Sequence, residues 1–122
     1  MEQQQLQMRL GEILVHFGWV SSRSIAMALA EQYEFDFVDV AEADIDETAV
    51  ELLDEELAYR YQALPVTFLP DDLLLVAIAD PTDVGMCDEL RRELGPIRLA
   101  VADKTDLDAA LARAHSGAAA GN

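Results

Sequence analysis

Helical spacing of apolar residues marks the beginning of the chain. Leucine, isoleucine and phenylalanine recur every three or four positions between residues 6 and 17, which predicts an amphipathic helix. Its apolar positions are Leu6, Leu10, Ile13, Leu14 and Phe17. Gly18 follows directly and supplies the left-handed residue on which helices commonly end.

A second helix is predicted immediately afterwards. The hydroxyl of Ser21 or Ser22 can accept a hydrogen bond from the free amides at the start of a helix. Helical spacing then places four residues on the inward face of this helix: Ile25, Ala28, Leu29 and Gln32. Because the connection is so short, the two helices are expected to form a hairpin.

Residues 35–61 predict one brief strand and two short helices. Apolar residues interleaved with acids are typical of a strand, and here they are Phe35, Phe37, Val38 and Val40. Asp44 or Asp46 can cap a helix that runs through Val50 and Leu53. Asp54 is followed by glutamates in the first turn and caps the next helix, which carries Leu57 and Tyr61.

The next apolar runs predict a β-hairpin and a strand–helix–strand unit. Residues 64–69 and 73–79 are separated by the turn-forming residues Pro70, Asp71 and Asp72. A helix over 83–94 presents Val84, Cys87, Leu90 and Leu94 on one face, and Gly95 with Pro96 ends it. The alternating strand 97–101 completes a right-handed βαβ unit if it runs parallel to strand 73–79.

A last helix, capped by Asp103 or Thr105, presents Leu107, Ala110, Leu111 and Ala114. The expected fold is α+β, with an N-terminal helical hairpin (1–33) followed by a small α/β part that contains the β-hairpin and the βαβ unit (34–115). A chain of 122 residues suits one such domain. Small and polar residues over 116–122 predict a linker or tail that joins further sequence.

The chain is strongly acidic. Eight lysines and arginines stand against 24 aspartates and glutamates, which gives a net charge of −16. A field of this sign disfavours nucleic-acid binding and electrostatic docking to anionic membranes. Residues 1–33 are nearly neutral, because they hold two of the basic residues and only three of the acidic ones. An anionic ligand or a moderately acidic partner is therefore expected to bind there.

Membrane insertion and cofactor binding are not expected. The longest apolar run, Leu73 to Ala79, is too short to cross a bilayer, and no signal-peptide pattern precedes the first helix. The single cysteine, Cys87, excludes an internal disulfide and a thiolate metal cluster. The sequence therefore predicts a cytoplasmic protein without a cofactor.

No motif for a catalytic centre is present. The sequence has no Walker-type phosphate loop, no G-x-G-x-x-G and no G-x-S-x-G. His16 and His115 have no partner at metal-ligand spacing, and Glu12 before His16 favours a contact between a carboxylate and an imidazole on the helix surface. Cys87 lies on an apolar helix face beside Asp88, which favours a buried thiol with a raised pKa. No enzymatic activity is expected.

Gly11 interrupts the first helix, where glycine is less favourable than alanine by about 1 kcal/mol. Two interpretations of this glycine remain open. A ligand or partner could press against the helix backbone, with the guanidinium of Arg9 stacking on it or contacting a phosphate. Alternatively, the second helix could pack closely against the first.

Three segments together resemble one known family. Residues 9–32 resemble the repeat R-L-G-x-x-L-x-x-x-G-x-I-x-x-x-x-L-x-x-x-L-x-x-Q of MshEN-type domains. Residues 59–65 (Y-R-Y-Q-A-L-P) and 77–83 (A-I-A-D-P-T-D) resemble later motifs of these N-terminal domains of type II secretion and type IV pilus assembly ATPases. The resemblance covers residues 9 to about 114. It implies a non-catalytic bacterial module that docks an ATPase or another effector onto a cytoplasmic or membrane-anchored assembly-platform protein.

The resemblance also implies an alternative function, because some members bind cyclic di-GMP through two tandem copies of the repeat. The corresponding ligand-facing positions are Arg9, Leu10, Gly11, Leu14, Gly18, Val20, Ile25, Leu29 and Gln32. Ile25 stands where the repeat has leucine. Only eight residues precede Arg9, so a single copy is expected, and half of the contacts would bind the ligand poorly unless two chains pair.

Docking to a partner is the function that we expect from these observations, and sensing of a cyclic dinucleotide is the alternative. The exposed side of the hairpin is the expected partner surface, because it is the least acidic part of the chain. Trp19 and Arg23 are its candidate contact residues. Trp19 lies past the end of the first helix, where a large aromatic ring either anchors an interface or fills the core.

Overall fold

The structure is a computed structural model that describes Gly18 and residues 21–120, with side chains as far as His115. The first predicted helix lies outside these residues, and so does its pairing with the second helix. Gly18 has a φ angle of +74°, which is the left-handed conformation predicted for it.

Helices and strands within the described residues follow the predicted order. They are α1 (Ser22–Gln32), β1 (Asp36–Phe37), α2 (Glu47–Val50), α3 (Glu55–Tyr61), β2 (Ala63–Phe68), β3 (Leu74–Ile78), α4 (Val84–Leu94), β4 (Ile97–Val101) and α5 (Lys104–Ala120). The predicted α+β class is therefore confirmed. The helix α2 ends at Val50, earlier than predicted, although Leu53 beyond it is still buried.

The strands form one mixed sheet in the order β1-β4-β3-β2. Strands β2 and β3 form the predicted antiparallel hairpin, from Ala63 opposite Ile78 to Phe68 opposite Leu74. Strand β4 runs parallel to β3 on one side and to β1 on the other, so β3, α4 and β4 form a βαβ unit. The strands β1, β3 and β4 therefore end at the same edge of the sheet.

Aspartate side chains set the starts of four helices. Each accepts a hydrogen bond from a backbone N–H in the first turn that follows it: Asp46 from Thr48 (2.9 Å), Asp54 from Glu56 (3.1 Å), Asp83 from Met86 (3.0 Å) and Asp103 from Asp106 (3.3 Å). Such a cap contributes about 1 kcal/mol to stability. Where the sequence left two choices, the structure selects Asp46 over Asp44 and Asp103 over Thr105.

The main core lies between the sheet and the helices α2 to α5. Its largest fully buried side chains include Leu53, Leu64, Ile78, Leu90 and Leu107. A smaller cluster lies under α1, where Ala26 and Ala30 pack on Val101, with Phe35 and Phe37 beside them.

The inward face predicted for α1 is partly wrong. Ala28 and Gln32 are exposed, whereas Ala26 and Ala30 are buried together with Leu29. The reason is that α1 also packs on the strands β1 and β4, and small side chains let the helix approach Val101 closely. The prediction considered only packing within the hairpin.

Val84 is a second wrong assignment, since it is 60% exposed and belongs to neither buried cluster. It is the first residue of α4, directly after the cap at Asp83, and core side chains do not reach it there. Met86 is buried in its place, beside Cys87 and Leu90.

Two element boundaries also differ from the prediction. The strand predicted over residues 35–40 is reduced to two residues because β1 pairs only with Ala100 and Val101, the last two residues of β4. At the other end of the chain, α5 continues to Ala120, past the domain boundary that the sequence analysis placed after residue 115. The role of residues 116–122 as a linker stays a prediction.

Among residues 18 and 21–120, no helix combines the length and the apolar composition needed to cross a bilayer.

The backbone conformation at position 95 is expected to require glycine. Gly95 has a φ of +79° and a ψ of −138°, and an added Cβ would meet no atom within 4 Å. Gly95→Ala should therefore destabilise the fold through backbone strain alone, by about 1–3 kcal/mol in urea unfolding.

Gly85→Ala is the matched control, because Gly85 lies within α4 and its Cβ would meet Asp83 Oδ1 at an ordinary 3.7 Å. This change should stabilise the protein by up to about 1 kcal/mol, the difference in helix propensity. Equal stability of the Gly95→Ala variant and the wild type would contradict the assignment.

Candidate functional site

The helix α1 carries the described part of the predicted site and is held at its first turn. The side chain of Ser21 caps the helix by accepting a hydrogen bond from the N–H of Ser24 at 3.0 Å. The hydroxyl of Ser22 donates to Oγ1 of Thr105 at 3.4 Å, which connects α1 to the start of α5.

Arg23 lies one residue further along α1 and makes two contacts. Its guanidinium donates to Oδ2 of Asp39 at 3.0 Å and lies 5.1 Å from the ring centroid of Phe37. The second contact is a cation–π interaction, which favours a planar guanidinium over an ammonium group. Because the side chain of Arg23 is still 47% exposed, it remains accessible to a binding partner.

Carboxylates gather next to Arg23 at the edge where the parallel strands end. Asp39 follows β1, while Asp103 and Asp106 follow β4. Asp103 is only 5% exposed, and its Oδ2 accepts the N–H of Asp106, but its Oδ1 has no hydrogen-bond partner within the described part of the chain.

The pKa values of these carboxyl groups are shifted in opposite directions. The hydrogen bond from Arg23 lowers the pKa of Asp39 below its ordinary value, with help from the backbone N–H groups of Ala41 and Glu42. Burial raises the pKa of Asp106, and the negative charge of Asp103 adds to that rise. Arg23 therefore favours the ionised forms of Asp39 and, more weakly, of Asp106, in a group of carboxylates that otherwise repel one another.

Within residues 18 and 21–120, no group of three histidine, cysteine or carboxylate side chains could hold a metal ion. Cys87 is buried at 3% exposure, and burial raises the pKa of its thiol, as predicted from the sequence. It acts as a small apolar side chain of the core.

The ligand positions implied by the repeat are only partly visible. Six candidate residues lie outside the described part of the chain: Arg9, Leu10, Gly11, Leu14, Trp19 and Val20. Of the others, Gly18 and Gln32 are exposed, Ile25 is half-buried and Leu29 is buried. Ile25, Leu29 and Gln32 lie at positions i, i+4 and i+7 of α1 and therefore share one side of this helix. Their role as ligand contacts stays a prediction.

Sequence reasoning missed the carboxylates around Arg23. Asp39 was counted only among the acids of the strand predicted over residues 35–40, Asp103 was only a candidate helix cap, and Asp106 was given no role. The signal that could have found them is their place near the ends of predicted strands, since the ends of parallel strands meet at one edge. The pairing of β1 with β4 was not predicted, however, and without it Asp39 has no expected neighbour.

Removal of the Arg23 guanidinium should raise the pKa of Asp39 toward its ordinary value and raise that of Asp106 further, because Arg23 lowers both. Titration of the carboxyl carbons by NMR in Arg23→Gln measures this. A lowered carboxyl pKa stabilises the fold above the unfolded pKa, and this contribution is lost as the pH falls through the folded pKa. The variant should therefore be less stable than the wild type at neutral pH and differ less from it in acid.

Arg98→Gln is the control for this experiment. Arg98 is exposed to a similar degree and pairs with Asp36 at 2.9 Å. Its loss should therefore leave the pKa values of Asp39 and Asp106 unchanged. An equal shift of Asp39 in both variants would show that general charge, and not the contact with Arg23, sets its pKa.

Comparison with known proteins identifies the family. The model of the MshEN domain matches residues 32–121, which include Gln32 but otherwise begin after the predicted repeat. A solved structure of MshE with cdg is 29% identical and has a TM-score of 0.73, over 85% of this chain and 76% of that one. Comparison with curated proteins gives no match.

The N-terminal domain of XpsE is similar in two crystal forms. One is 28% identical with a TM-score of 0.65, over 92% of this chain and 81% of that one. The other is 30% identical with a TM-score of 0.67, over 82% and 71%. The chain therefore belongs to the MshEN domain family, that of the N-terminal domains of type II secretion and type IV pilus assembly ATPases.

Proposed function

We propose that this chain is a non-catalytic regulatory and interaction module that docks a type II secretion or type IV pilus assembly ATPase to a partner protein in the cytoplasm. The observation that carries this proposal is its similarity to the N-terminal domain of XpsE over 92% of its length. A domain of this kind would act by contacting a partner protein, and exposed charged side chains such as that of Arg23 are suited to such contacts.

The surface around Arg23 supports docking to a carboxylate-bearing partner. The guanidinium is half-exposed, stacks on Phe37 and belongs to the least acidic part of the chain. A partner carboxylate that approaches it would compete with Asp39 or share its hydrogen bonds. Interface energy is commonly concentrated in arginine and aromatic residues of this type, which adds Trp19 to the proposal.

Charge reversal of Arg23 tests the docking surface. Arg23→Glu should weaken capture of the cytoplasmic part of the assembly-platform protein by tenfold or more, because a charge pair at an interface contributes about 1.5 kcal/mol or more. Arg98→Glu is the matched control, since Arg98 also pairs with an aspartate and is half-exposed. It should bind like the wild type.

The variant Trp19→Ala, measured in the same capture assay and by thermal melting, shows whether the indole ring contacts the partner or packs in the core. Loss of binding with an unchanged thermal midpoint would support an interface role. A wild-type chain that fails to capture the platform protein would overturn the docking function, while equal effects of Arg23→Glu and Arg98→Glu would exclude this surface alone.

Binding of cyclic di-GMP is the second candidate function, and one observation favours it. The solved structure of MshE with cdg, the abbreviation of cyclic di-GMP, is similar to this chain at a TM-score of 0.73. The repeat occurs once within residues 1–122, whereas the resemblance implies two copies for tight binding, and this disfavours strong binding by these residues alone. We therefore propose that any binding by the single chain is weak.

Calorimetric titration with cyclic di-GMP tests this. The wild-type chain should show a dissociation constant well above the micromolar range, because each lost 1.4 kcal/mol weakens binding tenfold. Low-micromolar binding that disappears in Arg9→Ala but persists in Arg98→Ala would instead establish the sensor function.

A further inference from the structure

A cleft of about 450 Å³ lies on a part of the molecule that none of the preceding candidates uses. It opens between the segment 45–55, which contains α2 and the start of α3, and the last described side chains of α5. Its apolar lining consists of Ile45, Val50, Leu53, Ala110 and Ala114. A volume in this range is typical of sites that enclose several apolar groups.

Acidic side chains surround this apolar floor. Glu47, Glu51, Asp54 and Glu55 line the cleft and are all exposed, against one basic residue, Arg113. Within the described part of the chain, the carboxylates of Glu47, Glu51 and Glu55 make no ion pair. The rim therefore carries negative charge that the basic side chains of the described residues do not pair with.

Two further observations indicate that the cleft accepts a ligand. His115 lines it, and Nε2 of this histidine is buried without a hydrogen-bond partner in the described residues. A buried polar atom without a partner is unfavourable, so a donor or acceptor from outside would relieve that cost. Leu52, which lies in the same segment next to Glu51, is 52% exposed, so this segment also presents a large apolar side chain to the solvent.

We propose that this cleft binds a basic amphipathic helix of a partner protein. Apolar side chains of such a helix, spaced by three or four residues, would enter between Val50 and Ala114. Lysines or arginines beside them would face Glu47, Glu51 and Glu55, and this complementarity would determine the partner. The inference rests on the proposed docking function and adds a surface separate from Arg23.

The negative charge of the chain and of the cleft rim disfavours the other candidate occupants of the cleft. A second copy of this chain carries a net charge of −16 and would bring further acids to the rim. Anionic lipids and nucleic acids would meet the same repulsion. A cationic helix gains from the apolar floor and from the rim together, whereas a neutral apolar molecule gains only from the floor.

The test uses the full 122-residue chain and a labelled 14-residue peptide as the probe. The peptide contains leucines at positions i, i+3, i+4 and i+7 and lysines elsewhere. Two comparison peptides share its length: one replaces the lysines by glutamates, and the other replaces the leucines by serines. Fluorescence anisotropy should show saturable binding of the leucine–lysine peptide and at least about tenfold weaker binding of both comparison peptides.

Occlusion of the cleft is tested without a change in charge. Ala114→Leu places a larger side chain in the cleft and should weaken peptide binding about tenfold, because it fills the space that the peptide leucines would enter. Ala112→Leu, on an exposed position of the same helix, should leave binding unchanged. Circular dichroism and thermal melting check that both variants fold.

Charge is tested with a second matched pair. Glu47→Lys combined with Glu51→Lys should weaken binding about tenfold. Glu31→Lys combined with Glu93→Lys changes the net charge equally at exposed positions outside the cleft and should have little effect. Equal weakening by both double variants would overturn the inference, since it would show attraction to net charge alone.

Failure of this inference can be told apart from failure of the docking function. If the wild-type chain captures the platform protein but does not bind the peptide, the cleft inference is wrong and the docking function stands. Binding of a neutral apolar compound in preference to the cationic peptide would also overturn it, because the rim would then not select the occupant.

Discussion

Strand β4 lies between β1 and β3 in the sheet and pairs in parallel with both, which connects the N-terminal strand of the described chain to the rest of the sheet. Phe37 lies beside Val101 on one side, and Ile78 lies beside it on the other. Val101 is fully buried, and Ala26 and Ala30 of α1 pack on it. Without β4, the strand β1 would have no partner among the described strands, and Ala26 and Ala30 of α1 would lose Val101. This pairing therefore attaches the N-terminal segment to the α/β part.

Electrostatics at the sheet edge follow from the same pairing. Because β1 and β4 end together, Asp39 and Asp103 are both close enough to Asp106 for their negative charges to raise its pKa, in a chain of net charge −16. Arg23 offsets part of that repulsion through its ion pair with Asp39. The described part of the predicted partner surface thus contributes to the attachment of α1 as well.

The acidic composition serves two separate purposes in this fold. Aspartates at helix starts satisfy backbone N–H groups, and those at positions 46, 54, 83 and 103 fix where the chain turns from loop to helix. Glutamates such as Glu47 and Glu51 make no such bond in the described residues and leave their charge at the rim of the cleft. The first group contributes to stability, and the second is the basis of the proposed selection of a cationic partner.

The sequence by itself determined the order and type of the elements and the family, because these depend on local signals. Helix caps, the turn at Pro70 to Asp72, the stop at Gly95 and the period of the apolar residues all act within a few positions of one another. The resemblance also came from residues close in sequence, such as 59–65 and 77–83. Only the tertiary structure decided which face of α1 is buried, since Ala26 and Ala30 are inward because Val101, seventy or more residues away, lies beneath them. It likewise brought Asp39 near Asp106 and formed the cleft that Val50 and Ala114 line. Contacts between residues so far apart depend on strand pairing and helix packing, which no local pattern records.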